Sequence, residues 1–322
     1  MKAVVTTAYG PPEVLQLQEL PDPKPRRDEV LIRIRATTVS AGDCEGRRAD
    51  WPLPLVIPLR LFIGITRPRR GRNVLGQELA GEVVEVGNDI EGYAVGDRVF
   101  AATGMKLSAY AQYVTLPVKH GLAPMPANMS YEEAACVPVG GLNALHFLTK
   151  ADIRPGQKVL IYGSTGSIGT FAVQLARIMG AEVTAVCGPH DHELVKSLGA
   201  SHGIDYTSED FTDNGEVYDV VFDTIGKSPF FPSLRSVRKG GYYLQANPSL
   251  RNAIPALGTA GPKVVMEPAG YPTERLLRLK DLIEAGELRT VIDRRYPLEQ
   301  IVEAHRYVDS GHKKGHVVIT VP

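Results

Sequence analysis

The chain has 322 residues, of which 43% are hydrophobic and 22% charged, values typical of a globular protein with room for two domains. Its 36 basic residues balance its 36 acidic residues, so no global positive field points to nucleic acid as the main partner. Cys44, Cys136 and Cys187 form no C-x-x-C pair, which argues against a disulfide framework or structural zinc and favours the cytoplasm. No signal peptide or membrane span is expected.

Residues 1–20 alternate apolar and polar side chains, as strands do, and further short strand patterns follow up to about residue 124. The clearest run is residues 29–36, where Val30, Ile32 and Ile34 share one face. Many short strands with few helices predict a β-barrel-like domain. The further predicted strands are residues 80–86, 98–101 and 111–115.

Residues 51–65 are conspicuously apolar, but prolines and Arg60 interrupt them, and they are too short to span a bilayer. Two interpretations stay open for this stretch: a loop packed on the core, or an apolar wall of a substrate cleft. The basic run 67–72 follows. Such a run is typical of a solvated loop, with contact to an anion or RNA as the alternative.

Residues 158–177 place a buried strand, a glycine-rich turn and a helix in succession. Glycine permits positive φ and lets a pyrophosphate approach closely, and a helix N-terminus offers N–H groups to it. In this context the turn indicates a dinucleotide site, with an ordinary strand-to-helix turn as the alternative. We expect Gly166 to exclude a side chain, both for the pyrophosphate and for a positive φ. The predicted cofactor-binding residues of the turn are Gly163, Ser164, Thr165, Gly166, Ser167, Ile168 and Gly169.

Strands and helices alternate after residue 125, which predicts a parallel, doubly wound sheet. The predicted strands are residues 182–187, 203–206, 218–223, 241–245 and 263–266, with helices at 192–198 and near 230–237. The tail adds a helix at 274–285, another near 298–308 and a closing strand at 316–320.

Short motifs keep a fixed order along nearly the whole chain. They are residues 9–15, 40–44, 75–83, 95–100, 109–114, 137–144, 163–169, 198–200 and 311–318. In this order and spacing the chain resembles the medium-chain dehydrogenase/reductase superfamily, specifically its zinc-independent quinone oxidoreductase (zeta-crystallin-like) branch. The resemblance implies an α/β fold in which a GroES-like β-barrel catalytic domain, residues 1–124 completed by 273–322, accompanies a doubly wound Rossmann domain, residues 125–272. A homodimer is expected.

The zinc-independent branch of the superfamily is predicted from the residues at the positions of the zinc ligands. In the zinc alcohol dehydrogenases the catalytic ligands stand at places matching Ser40, Gln77 and Val139, none of which is a good zinc ligand. We therefore expect no metal. Without a Lewis acid, an unactivated carbonyl loses a major stabilising interaction, whereas quinones and enones delocalise the developing charge, so hydrogen-bond donors suffice.

The end of the second Rossmann strand, at Cys187 and Gly188, predicts the cofactor. An NAD site places an acid there, about 20 residues past the glycines, and the sequence has none at this corner. His190, Lys196 and Tyr206 are candidates to bind a 2′-phosphate, so NADP is favoured over NAD. Asp191 is the exception that would permit NADH, if it reaches the ribose.

Other site residues follow from the resemblance. Asp43 and Arg47 match a pair beside the nicotinamide, although an i, i+4 ion pair is the structural alternative. Tyr110 is a candidate donor to a developing oxyanion, or else a tyrosine of the barrel core. The remaining predicted cofactor contacts are Asn143, Thr224, Ile225 and Gln245.

The sequence thus predicts an NADPH-dependent, zinc-independent oxidoreductase that transfers hydride to small-molecule quinones or α,β-unsaturated carbonyls. An NAD(P)-dependent alcohol or aldehyde dehydrogenase is the enzymatic alternative. An NADPH-binding protein with a non-catalytic role, in RNA binding or structure, is the alternative of another class, supported only by the basic run 67–72.

Overall fold

A computed structural model describes residues 1–50, 53–119, 121–247 and 261–322, with no side-chain description for 53–55. The chain divides into two compact units. The first comprises Met1–Val139, Tyr271–Ala285 and Thr290–Pro322, and the second comprises Gly140–Gly270 and Gly286–Arg289. Residues 125–139, which the sequence analysis gives to the Rossmann domain, lie in the first unit because the helix they contain packs on its strands.

The first unit is built on a seven-stranded sheet in which β3, Glu29–Val39, is central. It pairs antiparallel with β4, β6 and β15, so Val30 and Ile32 sit inside a wholly buried apolar core. The strands of this unit are β1 (Lys2–Thr6), β2 (Leu15–Glu19), β3, β4 (Glu78–Val86), β5 (Arg98–Ala102), β6 (Tyr113–Pro117), β7 (Leu122–Pro124), β14 (Ile292–Pro297) and β15 (His316–Thr320).

Short helices close this barrel. Helix α1, Ala41–Arg48, begins with a capping box formed by Ser40 and Asp43. A second capping box, formed by Ser130 and Glu133, begins α3. The other helices of the unit are α2 (Leu53–Ile63), α3 (Tyr131–Ala135), α8 (Thr273–Glu284) and α9 (Ile301–Asp309).

Helix α2 corrects the sequence analysis, which predicted a loop over 51–65. Trp51 and Pro52 lie outside the described residues, and a helix spans Leu53–Ile63. Some of its apolar side chains are not packed on the core, since Ile57 is 70% exposed and Leu61 is 56% exposed, whereas Val56, Leu59 and Ile63 are half-buried. The core interpretation is therefore wrong for the exposed side chains of this stretch.

The second unit holds a six-stranded sheet in the order β10-β9-β8-β11-β12-β13, with every pairing parallel. Parallel strands require crossovers, and helices supply them. The elements are β8 (Lys158–Tyr162), α5 (Ser167–Ile178), β9 (Glu182–Cys187), α6 (His192–Ser197), β10 (His202–Asp205), β11 (Tyr218–Asp223), α7 (Phe230–Arg235), β12 (Val237–Gln245) and β13 (Lys263–Val265). Helix α4, Pro138–Lys150, precedes them.

The pattern of elements confirms the predicted fold class, a GroES-like barrel with a doubly wound parallel sheet. Strand β14 was not predicted, because its residues Ile292–Pro297 are mostly polar and half-exposed. Its backbone pairs parallel with the apolar β15, so the partner strand and not its own pattern makes it a strand.

Candidate functional site

The glycine turn lies at the carboxyl edge of the parallel sheet. Strand β8 ends at Tyr162, the chain turns at Gly163 with φ of 77°, and α5 begins after its N-cap, Gly166. Thr165, Gly166, Ser167 and Ile168 are half-exposed. The turn therefore exposes the N-terminus of α5, a helix of 12 residues, where the positive end of the helix dipole lies.

Two glycines of the turn are required by the protein itself. A Cβ on Gly169 would lie 2.1 Å from the Gly163 carbonyl oxygen and 2.7 Å from the Ser164 backbone. A Cβ on Gly163 would lie 2.8 Å from Ile225 Cγ2, and its φ already favours glycine. These glycines let α5 pack closely against the end of β8.

Gly166 is different. Its φ is −74°, which any residue adopts, so the positive φ expected for it is wrong. A Cβ there would meet only the Gly163 carbonyl oxygen, at 3.4 Å, an ordinary contact. Packing does not require glycine here, and a side chain would occupy space outside the helix N-terminus. This cradle fits the pyrophosphate of a dinucleotide.

Hydroxyl groups around the turn bind the backbone. Ser164 is fully buried, and its Oγ donates to the Val186 carbonyl, 2.8 Å away. Thr224 Oγ1 lies 2.9 Å from the Tyr162 carbonyl and 3.1 Å from that of Gly163. These two predicted cofactor residues therefore hold the turn in shape.

A buried carboxylate that the sequence analysis missed lies at the next strand end. Asp223 is wholly buried and accepts from the backbone N–H groups of Ile225, Gly226 and Ser228 at 2.8–3.1 Å. The amide of Gln245, a predicted cofactor contact, donates to the same carboxylate at 3.2 Å. An acid at the end of a buried strand, followed by a Thr-Ile-Gly turn, is the signal that could have identified it.

The end of β9 brings an acid to the corner predicted to lack one. Cys187 is buried, and burial raises the pKa of its thiol to about 11. Asp191 folds back, with its Oδ2 3.3 Å from the place of a Cβ on Gly188, and Tyr206 lies 3.9 Å from that place. Lys196 instead lines a cavity of about 100 Å³ with His202 and Gly203. The prediction that this corner lacks an acid, which was the reason for favouring NADP over NAD, is therefore wrong.

Two further predicted contacts lie in the same unit. Ile225 is 39% exposed beside Gly163, so an apolar side chain flanks the turn. Asn143 is half-buried in the middle of α4.

In the first unit a polar cluster surrounds the start of α1. Asp43 is 1% exposed, and its Oδ2 accepts from the Ser40 backbone N–H and Oγ at 2.9 and 2.6 Å. Its Oδ1 accepts from the Gly76 N–H at 3.1 Å. Burial raises the pKa of this carboxyl, although these hydrogen bonds oppose the shift.

Arg47 does not pair with Asp43, so the predicted i, i+4 ion pair is wrong. Its guanidinium is fully buried and binds Asp309 at 2.5 Å and His305 Nδ1 at 2.9 Å. Burial, followed by Arg47, lowers the pKa of His305 to about 3, so the imidazole is neutral and accepts from the arginine. Arg47 thus ties α1 to α9.

The three places equivalent to zinc ligands lie near one another. Gln77 Nε2 donates to Ser40 Oγ at 3.3 Å, and Val139 N–H donates to the neighbouring Glu78 at 2.7 Å. Serine, glutamine and valine supply no thiolate or imidazole, so this set does not fit zinc. Within the described ranges, no group of three or more His, Cys, Asp or Glu could hold a metal ion.

Glu78 has an unusual pKa in this cluster. Burial, and to a smaller extent the charge of Asp43, raise the pKa of Glu78 to about 7 against the opposing effect of hydrogen bonds from Thr38 and Val139. Desolvation also lowers the pKa of Lys313 to about 8, although Glu78 favours its charged form. The charge of this cluster therefore changes near neutral pH.

Tyr110 lies in the barrel core. It is 0% exposed, its ring stacks edge-on with His305, and a Cβ on Gly76 would touch it at 2.7 Å. Its hydroxyl lies near Asp43 without a well-formed hydrogen bond in the described part of the chain, and burial raises its pKa well above the usual value. This placement favours the core interpretation over a donor to substrate.

Comparisons with known proteins agree with this geometry. Residues 26–127 match the family model described as alcohol dehydrogenase GroES-like domain, and residues 198–319 match the one described as zinc-binding dehydrogenase. The chain is 32% identical to 2-methylene-furan-3-one reductase of Solanum lycopersicum, over 99% of this chain and 79% of that one. It is 30% identical, over the same shares, to the chloroplastic NADPH-dependent alkenal/one oxidoreductase of Arabidopsis thaliana.

A solved structure shares the whole fold. The quinone oxidoreductase from Coxiella burnetii has a TM-score of 0.89 and 28% identity, covering 100% of this chain and 99% of that one. Fold and site define an oxidoreductase among the pyridine-nucleotide-binding dehydrogenases. The chain belongs to the medium-chain dehydrogenase/reductase superfamily, in its quinone oxidoreductase-like branch, as the sequence analysis predicted.

Proposed function

We propose that this protein uses NADPH to reduce quinones and α,β-unsaturated carbonyls. The observation that carries the proposal is Gly166, a glycine that neither backbone angle nor packing requires, at the exposed N-terminus of α5. A ligand that approaches closely explains it. Relatives named for quinone and alkenal/one oxidoreduction support the substrate class.

The second unit would hold the dinucleotide. The first-turn N–H groups of α5 would bind the pyrophosphate, and the exposed face of Ile225 would pack against the apolar part of the cofactor. Ser164 and Thr224 keep the turn rigid from behind. A bound reduced nicotinamide supplies hydride to an electron-poor carbon of the acceptor.

The first unit would stabilise the oxygen of the acceptor. Gln77 is half-exposed and uses its amide N–H on Ser40 Oγ, and an amide nitrogen carries two donors. We propose that the second donor binds the developing oxyanion. A neutral amide stabilises charge less than a metal ion, which limits the chemistry to acceptors that delocalise charge.

The choice of NADPH is supported by Tyr206, which lies beside the Gly188 corner, and by the relative named as NADPH-dependent, whereas Asp191 opposes it. A 2′-phosphate beside the Asp191 carboxylate would be repelled, whereas an asparagine there would donate to it. We expect Asp191→Asn to raise the ratio of NADPH to NADH affinity about tenfold. Fluorescence titration with both nucleotides measures it. Gly188→Asp is the matched opposite change and should favour NADH, while an unchanged ratio in both variants would contradict the assignment of this corner.

The proposed reaction is tested by steady-state kinetics with three acceptor classes. We expect kcat/KM to fall from 1,4-benzoquinone to a conjugated enone, with almost no oxidation of a simple secondary alcohol, because charge is least delocalised in the last case. Ordinary alcohols as the best substrates would support an alcohol dehydrogenase instead. Tight NADPH binding without turnover of any acceptor would support a non-catalytic role.

A further inference from the structure

Residues 51–77 differ in charge from the rest of the molecule. They contain five arginines, Arg60, Arg67, Arg69, Arg70 and Arg72, and no acidic residue, in a chain whose net charge is zero. The rest of the chain therefore has five more acidic than basic residues, so the positive charge is local to this stretch, where it attracts anionic surfaces.

Apolar side chains are exposed along the same stretch. Ile57 and Leu61 stand four residues apart on α2, so they lie on one face, and Ile65 follows four residues later. Their exposed fractions are 70%, 56% and 56%, and Phe62 beside them is 41% exposed. We call these four side chains the apolar stripe. Four large apolar side chains are thus exposed within nine residues of the chain, which is unusual for a protein surface.

The arginines flank the stripe and lack acidic partners. Arg67, Arg69 and Arg70 are exposed, and none makes a salt bridge with any described residue. The Arg72 guanidinium stacks over the Phe62 ring at 3.4 Å, which joins the charged segment directly to the stripe. Such stacking leaves the guanidinium edge open to bind phosphate.

A groove borders the arginines. It has a volume of about 1030 Å³, and its lining combines Arg67, Arg69 and Arg70 with apolar Leu20, Ile65 and Val74 and with one acidic residue, Glu19. A lining of this kind suits a molecule with an anionic head and an apolar tail. Phospholipids have that chemistry.

We propose that residues 53–72 dock this protein on the surface of an anionic lipid bilayer. The apolar stripe enters the boundary between headgroups and acyl chains, and the arginines bind lipid phosphates. Helix α2 has 11 residues, too few to cross a bilayer, and no helix among the described residues is long and apolar enough to do so. The contact is therefore peripheral. The proposal does not depend on the proposed reaction.

Co-sedimentation of the full chain with lipid vesicles tests the proposal. We expect binding to phosphatidylcholine vesicles that contain about 30% phosphatidylglycerol, little binding to pure phosphatidylcholine, and weakening by salt. The triple variant Arg67→Gln, Arg69→Gln, Arg70→Gln should bind about 100-fold more weakly, since each arginine near the surface contributes about fivefold. The double variant Ile57→Ser, Leu61→Ser should also lose binding.

Matched controls separate this surface from general charge and hydrophobicity. Arg26→Gln with Arg27→Gln removes two exposed arginines of the same unit, and Phe231→Ser removes a 57% exposed ring of the other unit. Both controls should bind vesicles as the unaltered protein does. Thermal unfolding checks that every variant is folded.

Three results would overturn the proposal. The first is no binding to anionic vesicles by the folded protein. The second is dissociation of a dimer by the stripe variants, with vesicle binding unchanged, which would assign the stripe to a second copy. The third is an RNA oligonucleotide bound through the three arginines while anionic vesicles are not bound.

Discussion

The glycine turn of the second unit and the polar cluster of the first use their residues in opposite ways. At the turn, Gly166 is a glycine that the polypeptide does not need, which leaves an opening at a helix N-terminus. In the cluster, Ser40, Asp43 and Gln77 bind one another, and Glu78 binds Thr38 and Val139. The turn is shaped for a ligand that must come close, whereas the cluster largely satisfies its own hydrogen bonds and leaves Ser40 and Gln77 half-exposed.

This difference shows that the role of a motif residue can be inferred from its hydrogen bonds and from the space beside it. A predicted site residue with all its polar atoms bonded inside the protein acts on the shape of the site. A predicted site residue that lies beside an opening which the fold does not require acts on the ligand. Four experiments test this comparison of the glycine turn with the polar cluster, and the first three have successively smaller expected effects.

The largest effect should come from Gly169→Ala. Its Cβ would overlap the Gly163 carbonyl at 2.1 Å, so α5 must move, and we expect a loss of about 3 kcal/mol or more in the free energy of unfolding. Gly166→Ala is the matched control and should cost about 1 kcal/mol or less, since it only replaces an N-cap glycine. Urea denaturation measures both. Equal costs would show that the two glycines do not differ.

The next effect is the pH dependence set by Glu78. Its pKa is about 7 in the fold against 4.5 in its absence, so the unfolded chain releases this proton first, and stability falls as pH rises from about 4.5 to 7. In Glu78→Gln that fall should shrink by about 2 kcal/mol, because the amide does not titrate. Unfolding free energies at pH 5 and pH 7.5 test it. Parallel profiles for the two proteins would mean that Glu78 is not protonated at pH 5.

The smallest effects separate two candidate donors. Tyr110→Phe should change stability by less than about 0.5 kcal/mol and enone kcat/KM by less than about twofold, because the hydroxyl is buried without a good hydrogen bond. Gln77→Leu should lower enone kcat/KM about tenfold and quinone kcat/KM less. If Tyr110→Phe instead lowers enone kcat/KM more than Gln77→Leu does, Tyr110 is the donor to the oxyanion.

Much of this molecule is predictable from its sequence, and the exceptions have more than one cause. Alternation and glycine spacing are local, so β3, β8 and the turn were predicted from the residues alone. The core place of Tyr110 depends on a residue distant in sequence, His305. The position of Asp191 beside Gly188 instead depends on a local turn, in which the Asp191 N–H donates to the Gly188 carbonyl. Helix α2 was missed because Pro58 inside it is a local signal against a helix. A single sequence therefore predicts the scaffold better than the partners of each polar group.

The most direct test of the account is the affinity of Gly166→Val for NADPH. A Cβ on Gly166 would contact only the Gly163 carbonyl oxygen, at 3.4 Å, and the valine methyl groups would stand in the approach to the α5 N-terminus. We therefore expect a folded variant whose NADPH binding is weaker by about 100-fold or more. Fluorescence titration gives the affinity, and thermal unfolding without nucleotide confirms the fold. Tight NADPH binding by folded Gly166→Val would contradict the account, because the pyrophosphate would then lie elsewhere.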